Sequence, residues 1–295
     1  MTQEELERRV RHIQIHCRQP VSEILAGEYR SAFKGSGIEF EGVRQYEHGD
    51  DIRSINWSVT ARTGKPHVKQ FMEERELSLF FLIDISASAY FASSEERKID
   101  LVAKIFALLA FAAAHNNDNV GLILFSDQIE FVINPRKGKK HVMMLISKIL
   151  ELKPKSNKTN IDQALDYFNR IRPKRCVAFV ISDFMDKGFQ RSLSDTARFH
   201  DLICVDIKDQ RELTMPKHGI FHFVDSENGE LQTVDCASEK FRSTYVAEHE
   251  KQAKDLKTLC HDINADYLNI NLNEDFMHKI ISFFRARSDR SADAK

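Results

Sequence analysis

Residues 77–84 read LSLFFLID, a continuous apolar run that ends in a carboxylate. A run without alternation of apolar and polar residues is typical of a strand buried on both faces of a sheet. Two later runs, VGLILF at 120–125 and CVAFVISD at 176–183, are separated from it and from each other by helical patterns. Because parallel strands need long crossovers that carry helices, this alternation predicts a doubly wound, mainly parallel α/β sheet with helices on both faces.

The character of the sequence changes along the chain in a way that predicts three segments. Residues 1–76 combine an N-terminal helical pattern with short alternating runs punctuated by glycines, which indicates a helix and a small β-rich region. Residues 77–286 carry the alternating strands and helices of the α/β domain. The charged residues 287–295 show no apolar periodicity, so we expect a disordered tail there.

The composition is that of a folded soluble protein, with 42% apolar and 29% charged residues. Forty-three basic residues nearly balance forty-four acidic ones, so no global field attracts nucleic acid. The most apolar segment, at 98–115, suits a buried helix better than a bilayer crossing, and the N-terminal residues do not resemble a signal peptide. We therefore expect a cytoplasmic protein with no integral membrane span and no nucleic-acid partner. Five cysteines without CxxC spacing predict reduced, mostly buried thiols.

Polar side chains with oxygen donors follow the predicted strands at one edge of the sheet. Asp84, Ser86 and Ser88 enter the turn after the first strand, Thr159 lies in a loop before a helix, and Asp183 ends the strand that follows that helix. Ligands of doubly wound sheets bind at the carboxyl ends of the strands, and oxygen donors suit a Mg²⁺-type ion. The same residues could instead cap the turn and the following helix.

The pattern D-x-S-x-S, with a loop threonine and a strand-terminal aspartate downstream, resembles the metal-ion-dependent adhesion site of von Willebrand factor A domains, as found in integrins. The resemblance implies that Ser86, Ser88 and Thr159 bind Mg²⁺ or Mn²⁺ directly or nearly so. It implies that Asp84 and Asp183 act directly or through water. An open position on the ion would then bind an acidic side chain of a partner protein.

The stretch GVRQYEHGDDIRSINWSVTARTGKPHVKQFMEE at 42–74 resembles the signature of the bacterial family called domain of unknown function 58. Members of that family are typically encoded beside MoxR-type AAA+ ATPases. The resemblance therefore implies an adaptor or assembly chaperone that works with a MoxR-type ATPase, with its client, or with both.

The charged residues of this N-terminal stretch allow two interpretations. In the first, they form an internal network of ion pairs and hydrogen bonds that fixes an irregular β region. In the second, Asp50, Asp51, Arg53 and Arg62 form a surface that docks a partner. Trp57 is expected to belong to the core.

Two classes of function fit the predicted site formed by Asp84, Ser86, Ser88, Thr159 and Asp183 at the carboxyl ends of the strands, which we call the rim. The first is a non-enzymatic adaptor that binds a partner through the metal, with no catalytic residue. The alternative is a metal-dependent hydrolase, such as a phosphoesterase, which would activate water at the same ion but lacks an evident general base. Neither a Walker loop nor G-x-G-x-x-G after the first strand is present in the sequence, so a nucleotide-binding role is not expected.

Overall fold

The computed structural model describes residues 3–20, 29, 32–33, 39–72, 77–90, 96–171, 173–209, 219–224, 231–235 and 238–293. The helices are α1 Gln3–Pro20, α2 Trp57–Thr63, α3 Lys98–His115, α4 Lys139–Glu151, α5 Ile161–Ile171, α6 Gln190–Phe199, α7 Glu239–Asp262 and α8 Phe276–Asp293. The strands are β1 Glu39–Gln45, β2 His67–Met72, β3 Ser78–Asp84, β4 Asn119–Phe125, β5 Ile129–Arg136, β6 Val177–Ser182, β7 Asp201–Lys208, β8 Ile220–Val224, β9 Leu231–Asp235 and β10 Asp266–Asn271. The chain divides into two compact units, Phe33–Leu77 and the combination of Met1–Ala32 with Ser78–Lys295.

The larger unit is built on a six-stranded sheet with the strand order β10-β7-β6-β3-β4-β5. All neighbouring strands are parallel except β5, which pairs antiparallel with β4 at one edge. The chain leaves β3 toward β4 on one side and leaves β6 toward β7 on the other. The strand order therefore reverses between β3 and β6, and the carboxyl ends of these two strands flank the switch point at which such folds bind ligands.

Helices cover both faces of this sheet, and two aromatic contacts show it directly. Phe80 packs edge-to-face against Phe168 of α5, with ring centroids 5.2 Å apart, whereas Phe81 packs against Phe106 of α3 at 4.8 Å. Successive side chains of a strand point to opposite faces, so α3 and α5 lie on opposite sides of the sheet. This double cover explains why the apolar run of β3 shows no alternation. The predicted fold class is confirmed.

Helix α1 belongs to the larger unit and packs against α3 and α4. Its buried face carries Val10, Ile13 and Cys17, spaced three and four residues apart, and the Cys17 thiol lies 3.9 Å from the carbonyl oxygen of Lys104. The sequence grouped this helix with the β-rich region because the two are adjacent in the chain. The apolar stripe of the helix is instead buried against helices that come about ninety residues later.

The smaller unit is an antiparallel pair of strands, β1 and β2, joined through the short helix α2. The Asn56 side chain accepts a hydrogen bond from the backbone N–H of Val59 at the start of α2. Gly64 ends the helix with a φ of 71°, a backbone conformation that glycine adopts without steric cost. The predicted β-rich character is observed, and α2 is an element that the glycine-punctuated sequence did not indicate.

The C-terminal residues correct the prediction of a disordered tail from 287 onward. Helix α8 continues to Asp293, and the Arg287 side chain, 12% exposed, forms ion pairs with Asp201 and Asp266. The guanidinium of Arg287 also donates to the carbonyl oxygen of Ala32 at 3.2 Å. This segment has little apolar periodicity, and its position depends instead on Arg287 and Arg290, which bind carboxylates at the amino ends of β7 and β10.

Two further expectations concern the thiols and the membrane. Cys17, Cys176, Cys204 and Cys260 are free and buried, as predicted, while Cys236 lies outside the described residues. Among the helices that the structure describes, none combines the length and the apolar character needed to cross a bilayer.

Candidate functional site

The turn after β3 is organised by the carboxylate of Asp84. Its Oδ1 accepts a hydrogen bond from the backbone N–H of Ser86 at 2.9 Å, and its Oδ2 accepts one from the Ser182 hydroxyl at 2.7 Å. The hydroxyl oxygens of Ser86 and Ser88 lie 3.2 Å apart in the 3₁₀ turn that follows. The structure therefore contains the turn-capping contact that the alternative interpretation expected, and it also brings the two serine hydroxyls together.

The loop that carries Thr159 is held against this turn by its backbone. The N–H of Ala87 donates to the carbonyl oxygen of Asn157 at 3.1 Å, and the N–H of Asn160 donates to the carbonyl oxygen of Ser126 at 3.0 Å. The Thr159 side chain is half-buried. Since both neighbours of Lys158–Thr159 in the loop are bonded to the ends of β3 and β4, Thr159 belongs to the same rim, although no hydrogen bond joins its hydroxyl to another described residue.

Asp183 follows β6 and is surrounded by donors. The ammonium of Lys98 lies 3.1 Å from its Oδ2, the N–H of Met185 lies 3.3 Å from its Oδ1, and Ser88 donates a hydrogen bond to its carboxylate. Lys208 donates to its backbone carbonyl oxygen. The first and last residues of the predicted metal motif therefore stand at neighbouring strand ends, and Ser88 contacts both halves of the site.

The two carboxylates of the rim titrate in opposite directions. Burial and the nearby charge of Asp183 raise the pKa of Asp84 from 3.8 to about 7, despite the hydrogen bonds from Ser86 and Ser182. The pKa of Asp183 is lowered because the ammonium groups of Lys98 and Lys208 outweigh its burial. Asp183 is thus the anion of the pair, whereas the buried Asp84 carboxyl holds its proton up to about pH 7.

The residue after Asp183 holds a strained backbone conformation. Phe184 has a φ of 51°, in the left-handed region that costs a bulky residue about 1–3 kcal/mol. Its buried ring packs against Phe189 at 5.8 Å, and its N–H donates to the Ser182 hydroxyl at 3.2 Å. These contacts turn the chain sharply after β6 and fix the direction in which the Asp183 carboxylate leaves the sheet.

Two of the oxygen donors have the spacing of neighbouring ligands of a small divalent ion. Cis ligands of an octahedral ion with bonds of about 2.1 Å lie about 3 Å apart, close to the 3.2 Å that separates the hydroxyl oxygens of Ser86 and Ser88. The described residues contain no group of three or more His, Cys, Asp and Glu side chains arranged to hold a metal. A metal at this rim would therefore depend on the serine hydroxyls as well as on Asp84 and Asp183.

Four residues of the site were not found from the sequence. Ser182 bonds to Asp84, and Lys98 and Lys208 bond to Asp183. His249 of α7 also lies near enough for its pKa to be lowered by burial and by the charges of Lys208 and Lys98. The sequence offered one signal for Ser182, Lys98 and Lys208, which is that each stands at the end of a strand or helix. His249 offered none, because it is one of many polar residues along α7.

Ser182 provides a direct test of how the Asp84 turn is held. Replacing Ser182 with alanine removes the hydroxyl that donates to Asp84 Oδ2 and accepts from the N–H of Phe184, both of them buried. We expect Ser182→Ala to lower the free energy of unfolding by about 1–3 kcal/mol, measured by urea denaturation. Ser194→Ala, which removes an exposed hydroxyl bonded within its own helix, is the matched control and should change little. Equal stability of the two variants would contradict this account.

The predicted docking residues lie in the smaller unit and behave differently from one another. Asp50 accepts two hydrogen bonds from the Arg44 guanidinium, at 2.7 and 2.6 Å, and this ion pair lowers its pKa. Asp51 accepts from the backbone N–H of Arg53 at 2.9 Å. These contacts fit the interpretation as an internal network. The side chains of Arg53 and Arg62 are exposed and remain candidates for docking.

The expectation that Trp57 belongs to the core is wrong. Its side chain is 67% exposed at the first position of α2. No residue of this two-turn helix is buried, so the helix does not carry the indole into an apolar core.

A larger cavity lies at the opposite end of the sheet and does not belong to the rim. Its volume is about 1020 Å³, and it is lined by Arg170 at the end of α5, Arg198 at the end of α6, and the exposed Phe199. The helix dipole favours cations at helix C-termini, so the positions of these two arginines are explained without invoking a bound ligand.

The sheet order, its antiparallel edge strand and the Asp84 turn at the switch point define a von Willebrand factor A-like α/β protein. The family model described as "Protein of unknown function DUF58" matches residues 42–255, well over half of the chain. The chain therefore belongs to this family, and the predicted resemblance is confirmed.

Among curated proteins, the chain is 26% identical to an uncharacterized protein of Mycobacterium tuberculosis and to one of Mycobacterium bovis. Each match covers 94% of this chain and 88% of the relative. Among solved structures, it is similar to the conserved hypothetical protein BatB of Bacteroides thetaiotaomicron, with 13% identity, a TM-score of 0.45, and coverage of 72% of this chain and 99% of that one. The SpRpn10 VWA domain matches with 11% identity, a TM-score of 0.39, and coverage of 70% and 94%. With TM-scores this low, the site has to be understood from the residues of this chain.

Proposed function

We propose that the protein is a non-enzymatic interaction module that binds a partner through Mg²⁺ or Mn²⁺ held by Asp84, Ser86, Ser88, Thr159 and Asp183. The observation that carries the proposal is the convergence of oxygen donors from the ends of β3 and β6 at the switch point, with the serine hydroxyls 3.2 Å apart. The raised pKa of Asp84 supports it, because a buried carboxylate without a full counter-charge is what a bound cation would stabilise.

Each group has a separate role in this proposal. Asp84 and Asp183 offset part of the charge of the ion, while the hydroxyls of Ser86 and Ser88 are neutral ligands. When bound, the ion supplies an electrophilic centre that attracts a carboxylate from the partner. Ser182 and the N–H of Ser86 keep the Asp84 carboxylate oriented toward the rim.

We further propose that the partner is a MoxR-type AAA+ ATPase, its client, or both. The support for this partner is the family resemblance, not the geometry of the rim. The exposed Arg53 and Arg62 of the smaller unit are candidates for a second contact with the same partner, because arginine forms paired hydrogen bonds to carboxylates.

The experiment combines metal titration with partner capture. We expect wild-type protein to bind Mg²⁺ in calorimetry and to capture a purified MoxR-type ATPase only when Mg²⁺ is present. Asp84→Ala and Ser86→Ala should each weaken metal binding at least tenfold and abolish capture, while circular dichroism shows both variants folded. Asp195→Ala, which removes a carboxylate on α6 that pairs with the exposed Arg198, is the matched control and should behave as wild type. Capture that survives both the chelator and Asp84→Ala would overturn the proposal.

The alternative, a metal-dependent hydrolase, is favoured by one observation. His249 is half-buried, and its pKa is lowered by burial and by Lys208 and Lys98, so the imidazole is neutral at pH 7 and able to accept a proton. Hydrolysis of a generic phosphoester by purified protein, lost in both His249→Gln and Asp84→Ala, would favour this function over the adaptor. Absence of turnover with metal bound would exclude it for that substrate class.

A further inference from the structure

The first residue of α3 is a lysine in a position that costs free energy. Lys98 has a side chain that is only 3% exposed, and its positive charge stands at the N-terminus of a helix, where the dipole favours anions. Burying an ammonium is costly unless it is paired. The pairing is with Asp183, whose Oδ2 lies 3.1 Å from the Lys98 nitrogen.

The Lys98 side chain lines the same cavity as the proposed metal ligands. Asp84, Ser88, Lys98 and Asp183 all line one small cavity of about 10 Å³. A cavity of that size holds at most about one water molecule. It therefore lacks room for the ammonium and a hydrated divalent ion together, and the like charges of the two would repel each other at this distance.

The second lysine of the site is held differently. Lys208 donates to the backbone carbonyl oxygen of Asp183 and lies 3.4 Å from Oδ1 of the fully buried Asp206. Asp206 is itself fixed by the Tyr267 hydroxyl at 2.8 Å. Lys208 is therefore held by the Asp183 backbone carbonyl and by Asp206, whereas the Lys98 ammonium bonds to the Asp183 carboxylate itself, which makes Lys98 the exchangeable cation.

We propose that Lys98 is an internal competitor of the metal: its ammonium and the divalent ion are alternative cations for the Asp183 carboxylate. The inference rests on the proposed metal-binding function and adds its regulation. Without metal, Lys98 closes the rim. Binding of the ion moves Lys98 out of the cavity, so that the affinity of the rim for metal is lower than its ligands alone would give.

The test compares Mn²⁺ affinity in wild-type protein and in Lys98→Met by calorimetry. Removing the competing charge should lower the Mn²⁺ Kd at least tenfold, whereas Lys98→Arg, which keeps the charge, should not tighten binding. Lys104→Met, the same substitution two turns later in α3 at a lysine paired with Glu96, is the control and should match wild type. Wild-type binding with no tightening in Lys98→Met would overturn the inference and leave the proposed function standing.

A second measurement does not depend on the folding of any variant. Wild-type protein is treated with an amine-acetylating reagent with and without Mn²⁺, and each lysine is quantified by mass spectrometry. Lys98 should be protected without metal and become reactive with it, while Lys208 stays protected in both states. Protection of Lys98 unchanged by saturating Mn²⁺ would overturn the inference. Absence of Mn²⁺ binding in wild type and in folded Lys98→Met alike would overturn the proposed function as well.

Discussion

At pH 8 and without divalent ions, Asp84→Asn is expected to be more stable than the wild-type protein by about 2–4 kcal/mol. Burial and Asp183 raise the pKa of Asp84 to about 7 in the folded protein, whereas in the unfolded chain it stays near 3.8. A tenfold change in proton affinity corresponds to about 1.4 kcal/mol, so the difference between the folded and unfolded pKa of Asp84 sets an upper bound of about 4 kcal/mol on the gain in stability. Asparagine keeps an oxygen for the turn and carries no charge.

The sign of this effect follows from proton linkage. Between pH 4 and pH 7 the folded protein binds more protons at Asp84 than the unfolded chain does, so this group makes the protein less stable as the pH rises. The loss is nearly complete about one pH unit above the folded-state pKa, near pH 8. Urea denaturation of both proteins at pH 5 and pH 8 should show the advantage of Asp84→Asn growing with pH. An advantage equal at both values would show that Asp84 does not titrate in this window.

A divalent ion should reverse the comparison. Under the proposed function, Mg²⁺ binds folded wild-type protein and stabilises it by mass action, but binds Asp84→Asn more weakly. At pH 8, added Mg²⁺ should therefore raise the unfolding midpoint of the wild type more than that of the variant. Comparing the same two proteins with and without Mg²⁺ thus separates the destabilisation caused by the buried Asp84 charge from the contribution of Asp84 to metal binding.

Arg287→Ala should lower the free energy of unfolding by about 3 kcal/mol, because it removes a nearly buried guanidinium, takes the Arg287 ion pair from Asp201 and leaves Asp266 with the exposed Arg290. Arg287 binds Asp201, Asp266 and the Ala32 carbonyl at once. Arg287→Lys should recover less than half of this loss in the free energy of unfolding, since an ammonium cannot form the planar, two-nitrogen contact of a guanidinium with two carboxylates. Urea denaturation checks both variants.

The neighbouring arginine provides the control for that experiment. Arg290 also pairs with Asp266, at 2.7 Å, but its side chain is 65% exposed, so Arg290→Ala should cost less than about 1 kcal/mol. If Arg287→Ala and Arg290→Ala are equally stable, the contacts of Arg287 do not hold α8 in place.

The local pattern of apolar residues was sufficient to predict the strands and helices that bury a complete face. Strand β3 has an unbroken apolar run because helices cover both of its sides, and the helical pattern of α5 is visible because its apolar positions follow one stripe. Asp84 and Asp183 could be placed on one rim because the carboxyl ends of parallel strands share an edge of the sheet.

The features that the sequence did not indicate all depend on partners distant in the chain. The place of α1 depends on a contact with Lys104, 87 residues away, and the buried state of Lys98 depends on Asp183, 85 residues away. The order of the C-terminal segment depends on Asp201 and Asp266. A charged side chain looks the same in a sequence whether it meets water or a buried carboxylate, so periodicity could not separate these cases.

The division of the larger unit into residues 1–32 and 78–295 has a consequence for synthesis on the ribosome. Helix α1 is made before the helices that bury its apolar face, α3 and α4, which are translated about one hundred residues later. At about 5–20 residues per second, that helix waits several seconds with its hydrophobic stripe uncovered. The carbonyl of Ala32, which follows α1 in the chain, receives the Arg287 guanidinium 255 residues away only after α8 has been made. Newly made chains of this protein should therefore depend on chaperone holding until α8 emerges.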